Sequence, residues 1–457
     1  MHRVTSSSVR LPHGVRDYLP EAAAERRRIA ESLLGEFERW GYRRIVTPAF
    51  EYEAVLARGL GPEAQAQAVR FVEPGTGEVV MLRPDITPQI SRLVATRLAD
   101  EPGPIRLAYE GAVVRLSEGG QREVFQAGVE LIDAPAPTGD VEVIALAAAA
   151  LAGVGIARYT LDLGEASIAR AALDGLGPEA AALREAIARK HVDEVVVQAR
   201  ALGLPAWRRR LVEALPSLYG GPEVIDRAAR LVDGGAGKAA RAGLGALAVV
   251  IERLGALGLA EHLSVDLGEV RGFDYYTGVR MQGFAPGVGG ALLSGGRYDG
   301  LLGRYGRSAS AAGFAIDVEG VAQALPVAGA AAPSGVYLAG EADARGQLAA
   351  ALRRAGLRVV EELASPLPAD GVLATSARRL GAAHVMVVLP AGRGARLLDA
   401  ATGVTARLAA AEVAALLAGN VAGTAGGTVA LDALVSPRYA VASPAGRTGR
   451  RSEQSGR

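Results

Sequence analysis

The sequence predicts an α+β protein: an antiparallel sheet flanked by helices, carrying a helical insertion and followed by a small α/β domain. Three observations carry that prediction. Two hairpin patterns, "FVEPGTGEVVML" and "PIRLAYEGAVVRLSEGGQREVFQAGVELID", follow an amphipathic helical stretch. From about residue 146 to 255 the pattern is helical, and strand character returns at "LSVDLGEV". Strands grouped before and after helices favour an antiparallel sheet with the helices on one face.

The elements follow in order. "PEAAAERRRIAESLLGEFERWGY" begins with Pro20, sets Ile29, Leu33, Phe37 and Trp40 on one helical face, and ends at Gly41 as a cap. "RRIVTPAFEY" is extended, and Pro48, which has no N–H to donate, makes it an edge or interface strand. "PGTG" and "SEGGQ" are the turns of the two hairpins. "VIALAAAALAGVGIA", from Val143, is short for a membrane span and mostly alanine, so it reads as a buried helix. "AALREAIARKHVDEVVVQARALG" and "AWRRRLVEALPSL" continue the helical span. After "LSVDLGEVRGFDYYTGVRMQGF" come "ALLSGGRYDGLL", in which "SGGRYDG" reads as a tight turn, and "AAGFAIDVEGVAQAL". "AGAAAPSG" (328–335) reads as a linker, and beyond it short strands and helices alternate. The expected division is therefore 10–145 with 256–327 as the sheet core, 146–255 as the insertion, and 334–419 as the small domain. Residues 420–457, rich in Gly, Ala, Ser and Arg, have the composition of a disordered tail.

Composition removes several function classes. A length of 457 residues, half of them hydrophobic, supports more than one core. A net charge of +1, with no basic stripe interleaved with aromatics, gives no argument for nucleic acid. The absence of cysteine rules out disulfides and thiolate metal sites, and the five histidines lack ligand spacing. The first residues, "MHRVTSSSVRLPHG", lack the apolar segment of a signal peptide, so a cytoplasmic location is expected, with no membrane contact. "DGGAGKAA" is no P-loop, because Val232 stands where its first glycine belongs and Ala239 replaces the Ser/Thr that would hold Mg²⁺. Neither a metal nor a cofactor is expected.

Polar residues in the apolar hairpins are more telling. Arg83, Asp85 and Thr87 in "LRPDITPQISR" alternate, so on an extended strand they share one face. Gln126 and Glu130 in "REVFQAGVELI" also share a face. "RGFDYYTG" (271–278) sets Tyr275 and Tyr276 side by side in a chain that is only 5% aromatic; on a strand one would point inward and one outward. Its plain reading is a buried strand with one core tyrosine, its sharper one the wall of a small polar pocket. Such carboxylate, amide and arginine groups suit a small zwitterion if they converge.

These segments, in this order, resemble the catalytic core of histidyl-tRNA synthetase, a class II aminoacyl-tRNA synthetase, over roughly residues 10–325. "GYRRIVTPAFEY" resembles the dimer-interface motif 1, and "LRPDITPQISR" resembles the family's Leu-Arg-Pro-Glu-Gly-Thr segment with Asp85 in place of the glutamate. "VVR…REVFQAGVELI" resembles motif 2 and the strand beyond it, and "RGFDYYTG" resembles the histidine signature almost letter for letter. The resemblance implies a class II synthetase-like sheet and a histidine pocket. Asp85 would receive the α-ammonium, with Thr87 at the same end. Gln126 and Glu130 would meet polar groups of the ligand, and Arg115 matches the motif 2 arginine. Arg271 would face the carboxylate, and Tyr275 and Tyr276 would bound the imidazole.

The chain departs from a synthetase where ATP is held. The family's motif 3 runs Gly-Phe-Ala-x-Gly-x-Glu-Arg-Leu, whereas "GFAIDVEGV" has Gly320 at the arginine position and Asp317 at a glycine. Losing a guanidinium fork and gaining a carboxylate both disfavour a polyphosphate. The loop "RLSEGGQR" is also shorter than its synthetase counterpart, and residues 334–419 only weakly resemble an anticodon-binding domain. This combination resembles the family of ATP phosphoribosyltransferase regulatory subunits. That resemblance implies a chain with no catalytic residues of its own that binds L-histidine and restrains the first step of histidine biosynthesis. It further implies assembly with a short-form catalytic subunit, as a homodimer within a hetero-oligomer, without tRNA. An active histidyl-tRNA synthetase with divergent motifs is the alternative.

Overall fold

A computed structural model describes residues 10–116, 120–173, 175–177, 180–232, 237–270, 275–326, 334–390 and 393–417. The chain divides into two compact units, 1–326 and 327–457. In the first, the early strands are β1 (Arg43–Arg44), β2 (Phe50–Tyr52), β3 (Arg70–Val72), β4 (Val79–Leu82), β5 (Ile105–Val114) and β6 (Glu123–Ile132). The later ones are β7 (Thr160–Glu165), β8 (Tyr219–Gly220), β9 (Leu263–Asp266), β10 (Val279–Phe284), β11 (Leu293–Arg297) and β12 (Ala311–Asp317).

The large sheet has the order β1-β5-β6-β12-β11-β10-β7-β9-β8, and β2, β4 and β3 form a small separate sheet. The centre is antiparallel, while β1 pairs parallel with β5 and β7 parallel with β9, so the sheet is mixed. Alternation divides the two faces of β6. Ala127, Val129 and Leu131 are fully buried in a core shared with Phe37 and with Leu146 and Leu247 of the helices Thr138–Gly153 and Lys238–Ala256. Gln126, Gly128 and Glu130 point the other way. The expected helix opens at Pro20 and runs to Arg39, burying Ile29, Leu33 and Phe37.

Three local expectations change. Strand β7 interrupts the stretch read as helical and lies inside the large sheet, between β10 and β9. Its six residues are flanked by longer helical patterns that dominate a window of sequence. The "SGGR" of "SGGRYDG" belongs to strand β11 and is not part of a turn. Its glycines answer close approach: a Cβ on Gly295 would lie 2.3 Å from the Gly313 carbonyl oxygen, and Gly296 has φ +153°. Thr87 is not on a strand, because β4 stops at Leu82 and the helix Thr87–Arg97 begins with Pro88 in its first turn.

The second unit has strands β13 (Val336–Gly340), β14 (Val359–Glu361), β15 (His384–Val388), β16 (Ala395–Asp399) and β17 (Thr405–Leu408). Their order is β14-β13-β15-β16-β17, parallel on one side of β15 and antiparallel on the other. Leu338, Leu348, Leu352, Met386 and Leu397 form its core. The residues expected as linker and tail lie almost wholly outside the described residues.

Candidate functional site

A cavity of about 330 Å³ opens on the face of the large sheet opposite the helices Thr138–Gly153 and Lys238–Ala256, the face on which the Thr87–Arg97 helix packs. That size falls in the roughly 300–1,000 Å³ of small-molecule sites. Asp85, Thr87, Arg115, Gln126, Tyr275 and Tyr276 all line it. They come from the segment after β4, the end of β5, strand β6 and the segment before β10, so the sheet brings together residues up to 191 positions apart in the chain. Arg271 lies outside the described residues.

Glu130, the remaining described residue expected at the site, does not line the cavity; it lies behind the lining residues Thr87, Tyr298 and Gly313. It is 1% exposed, and its two oxygens accept hydrogen bonds from Thr87 Oγ1 at 2.6 Å and from the Tyr298 hydroxyl. Its neighbours make room for it. In the sheet register Glu130 faces Gly313 on β12, where a Cβ would lie 1.9 Å from Glu130 Oε2. Gly128 does the same for Tyr109, since its Cβ would lie 2.5 Å from that hydroxyl. Burial pushes the Glu130 carboxyl up to about 8; the two hydroxyl donors pull it down, and Asp85 adds to the rise.

Asp85 stands at the amino end of the Thr87–Arg97 helix, where its Oδ1 accepts from the Thr87 N–H at 3.0 Å. Thr87 thus faces both carboxylates, with its backbone toward Asp85 and its hydroxyl toward Glu130. A buried network fixes this segment. Arg83 donates to Ala112 O at 2.7 Å, and to Thr47 O and Thr47 Oγ1 at 3.0 Å each. Gln89 bonds Pro48 O at 2.8 Å and Glu51 at 2.9 Å, and Glu51 takes a two-pronged contact from Arg92. Arg83 therefore braces the segment Thr47–Pro48 against β5, and its guanidinium is committed to that task.

The opposite wall is aromatic. Tyr275 and Tyr276 are not on a strand and do not diverge: both border the cavity, their rings edge to face at 5.1 Å. Tyr275 stacks on Tyr298 with centroids 5.6 Å apart. Tyr298 is a lining residue that the sequence does not single out, because the glycines of "SGGRYDG" read as a turn. Burial drives the hydroxyls of Tyr275 and Tyr298 well up, and that of Tyr276 up to about 12. These tyrosines stay protonated and act as hydrogen-bonding groups.

Gln126 is 9% exposed and lines the cavity, and its Oε1 has no partner. A buried, unpaired amide oxygen is costly and calls for a donor from a ligand. Arg115 anchors through Nε to Pro84 O at 2.7 Å. Asp317 closes the far end, where its Oδ1 accepts from Glu319 N at 2.9 Å and Gly320 N at 3.2 Å. Its carboxylate therefore takes the free N–H groups at the start of the helix Val318–Ala324. Glu319 is turned away from the cavity, 3.1 Å from Arg26 Nε and accepting from Phe125 N at 3.0 Å. A Cβ on Gly320 would lie 3.3 Å from Leu292 Cβ. Among the described lining residues the ionisable acids Asp85 and Asp317 face a single guanidinium, Arg115.

The family model of histidyl-tRNA synthetase matches residues 14–321. The ATP phosphoribosyltransferase regulatory subunit of Syntrophotalea carbinolica is 38% identical over 413 residues, 88% of this chain and 95% of that protein. The chain belongs to the family of ATP phosphoribosyltransferase regulatory subunits. The regulatory subunit of Anaeromyxobacter dehalogenans is 43% identical over 332 residues, 69% of this chain and 91% of its own length. Among solved structures, "an ATP phosphoribosyltransferase regulatory subunit/histidyl-tRNA synthetase" from Bacillus halodurans aligns with a TM-score of 0.73 at 30% identity, over 85% of this chain and all of that one. Histidyl-tRNA synthetase from Nostoc sp. PCC 7120, 19% identical with a TM-score of 0.71 over 89% of this chain and 98% of that one, shares the class II synthetase fold. The regulatory-subunit family thus carries a synthetase-like sheet and, in this member, a polar cavity on it.

Proposed function

We propose that the chain is a non-catalytic regulatory subunit of an ATP phosphoribosyltransferase and that its cavity binds L-histidine. The observation that carries the reading is the contrast between the cavity's two ends. At one end Asp85, Thr87 and the tyrosines, with Glu130 behind them, offer a carboxylate for an ammonium group and hydrogen-bonding groups for a polar ring. At the other, Asp317 occupies the helix start and Gly320 supplies no cation. A triphosphate meets repulsion there and a zwitterionic amino acid does not. Arg115, together with Arg271 from the sequence resemblance, is assigned to the ligand's carboxylate.

The phosphoribosyl-transfer residues come from a short-form catalytic subunit in this reading. Residues 146–255 act as an insertion in the sheet core, and no tRNA is engaged. Histidine regulates only by binding one state of the assembly better than another, since equal affinity shifts nothing. A coupling of about 1–3 kcal/mol is ordinary. The chain works in the cytoplasm as a homodimer within the hetero-oligomer. The test is reconstitution: the purified chain, mixed with a short catalytic subunit, should confer ATP phosphoribosyltransferase activity that histidine inhibits. Activity indifferent to the chain, or histidine inhibition that survives Glu130→Ala, would overturn the reading.

A further inference from the structure

The ring end of the cavity is read through two hydroxyls that stand between it and Glu130. Thr87 and Tyr298 each donate to one Glu130 oxygen, so both present oxygen lone pairs to a ligand, and the unpaired Gln126 Oε1 adds another acceptor. If Glu130 carries a proton it becomes a donor to one of these hydroxyls. That hydroxyl must then turn its own hydrogen toward the cavity, replacing an acceptor by a donor. The protonation of Glu130 thus sets the hydrogen-bonding pattern of a cavity wall.

Resting on the reading of the cavity as a histidine site, we infer that Glu130 and the imidazole of the bound ligand together hold one proton, so that histidine binding is proton-linked with a maximum near neutral pH. The reason is charge. Glu130 is buried, and no described cation pairs with it. The ionisable groups facing it are Asp85 before the Thr87–Arg97 helix, Tyr109 on β5, Tyr275 and Tyr276 before β10, Tyr298 after β11, and Tyr42 after the first helix. Every one is an acid. A carboxylate beside a neutral ring leaves an unbalanced buried anion, and a carboxylic acid beside an imidazolium leaves an unbalanced buried cation. The two arrangements with one proton, acid with neutral ring or carboxylate with imidazolium, are each balanced, and the proton passes between Glu130 and the ring nitrogen through a hydroxyl.

Proton counting gives the pH profile. Free Glu130 is protonated below about 8, and the free imidazole is neutral above roughly 6.5. Between these limits the separate partners already hold one proton, and binding exchanges none. Above about 8 both are deprotonated, so binding takes up one proton and affinity falls tenfold per pH unit. Below roughly 6.5 both are protonated, so binding releases one and affinity again falls.

The test is isothermal titration of L-histidine into the full chain from pH 5.5 to 9, in pairs of buffers with different ionisation enthalpies. The expected result is a bell-shaped affinity with uptake of one proton on its alkaline side and release of one on its acid side. The isosteric Glu130→Gln variant, read in parallel, should lose the alkaline uptake that begins near 8, keeping only what the ligand's own amine contributes. Binding whose affinity and buffer dependence stay flat from pH 5.5 to 8.5 would overturn this inference and leave the histidine site standing. An absence of binding at every pH would overturn the site itself, and the inference with it.

Discussion

The Thr87 hydroxyl donates to Glu130 Oε1 across 2.6 Å, joining the first residue of a helix to a strand 43 residues further along the chain. The contact ties the segment that carries Asp85 to strand β6, so one threonine links the two carboxyl groups, its N–H to Asp85 and its hydroxyl to Glu130. Tyr298 completes the arrangement from the opposite side of Glu130.

Removing the carboxyl behind the cavity wall should remove the ligand. Glu130→Ala is expected to weaken histidine binding on the order of 100-fold or more, because the lining hydroxyls of Thr87 and Tyr298 then lose the carboxyl that orients them and are left unpaired. Calorimetry gives the affinity and near-ultraviolet circular dichroism the fold, which should be unchanged. Unaltered affinity would mean that histidine sits elsewhere.

The glycine beside Glu130 should be intolerant of a methyl group. Gly313→Ala puts a Cβ 1.9 Å from Glu130 Oε2 and 2.3 Å from the Val129 carbonyl oxygen, which is backbone and cannot turn aside. A loss of about 1–3 kcal/mol in stability is expected, together with weaker histidine binding. Gly245, in the Lys238–Ala256 helix, has open space at its Cβ position, so Gly245→Ala should gain about 0.5–1 kcal/mol. Denaturation of the two variants checks both signs.

Two buried carboxyls should make the ligand-free first unit less stable at alkaline pH. Burial raises Glu130 to about 8 and Glu165 to about 7 from an ordinary 4.5. A group raised on folding contributes stability that is complete below its ordinary value and lost as pH climbs through the folded value. The loss therefore spans pH 4.5 to about 8, and on the order of 4 kcal/mol of it belongs to Glu130. Both tryptophans, Trp40 and Trp207, lie in the first unit, so tryptophan fluorescence in denaturant titrations at pH 5 and 8.5 isolates it. Glu130→Gln should flatten the dependence; an equal slope in the variant would contradict the assignment.

Much of the site was legible because period-two alternation survives in long hairpins. Gln126 and Glu130, four residues apart, needed only that β6 be a strand for both to share its face, Gln126 lining the cavity and Glu130 buried behind Thr87 and Tyr298. Where backbone geometry departs from its commonest use, the reading failed. Pro88 after Thr87 is a helix-start signal, yet "RPDIT" also alternates, and the alternation hid the helix. The glycines of "SGGR" signal a turn in most sequences; here they allow β11 to lie against β12, and the error concealed Tyr298. Tyr275 and Tyr276 face one cavity because their segment is irregular, which no strand period predicts. Gln126's orphaned oxygen and the capping by Asp317 are tertiary facts, set by which strands become neighbours.

The central claim is that the amino-acid cavity persists while the nucleotide end is closed by Asp317 and lacks a cation at Gly320. Histidine-dependent ATP–pyrophosphate exchange, measured on the purified chain at histidine concentrations that saturate the cavity, tests it most directly. The account predicts histidine bound and no exchange above background. Robust exchange would contradict it.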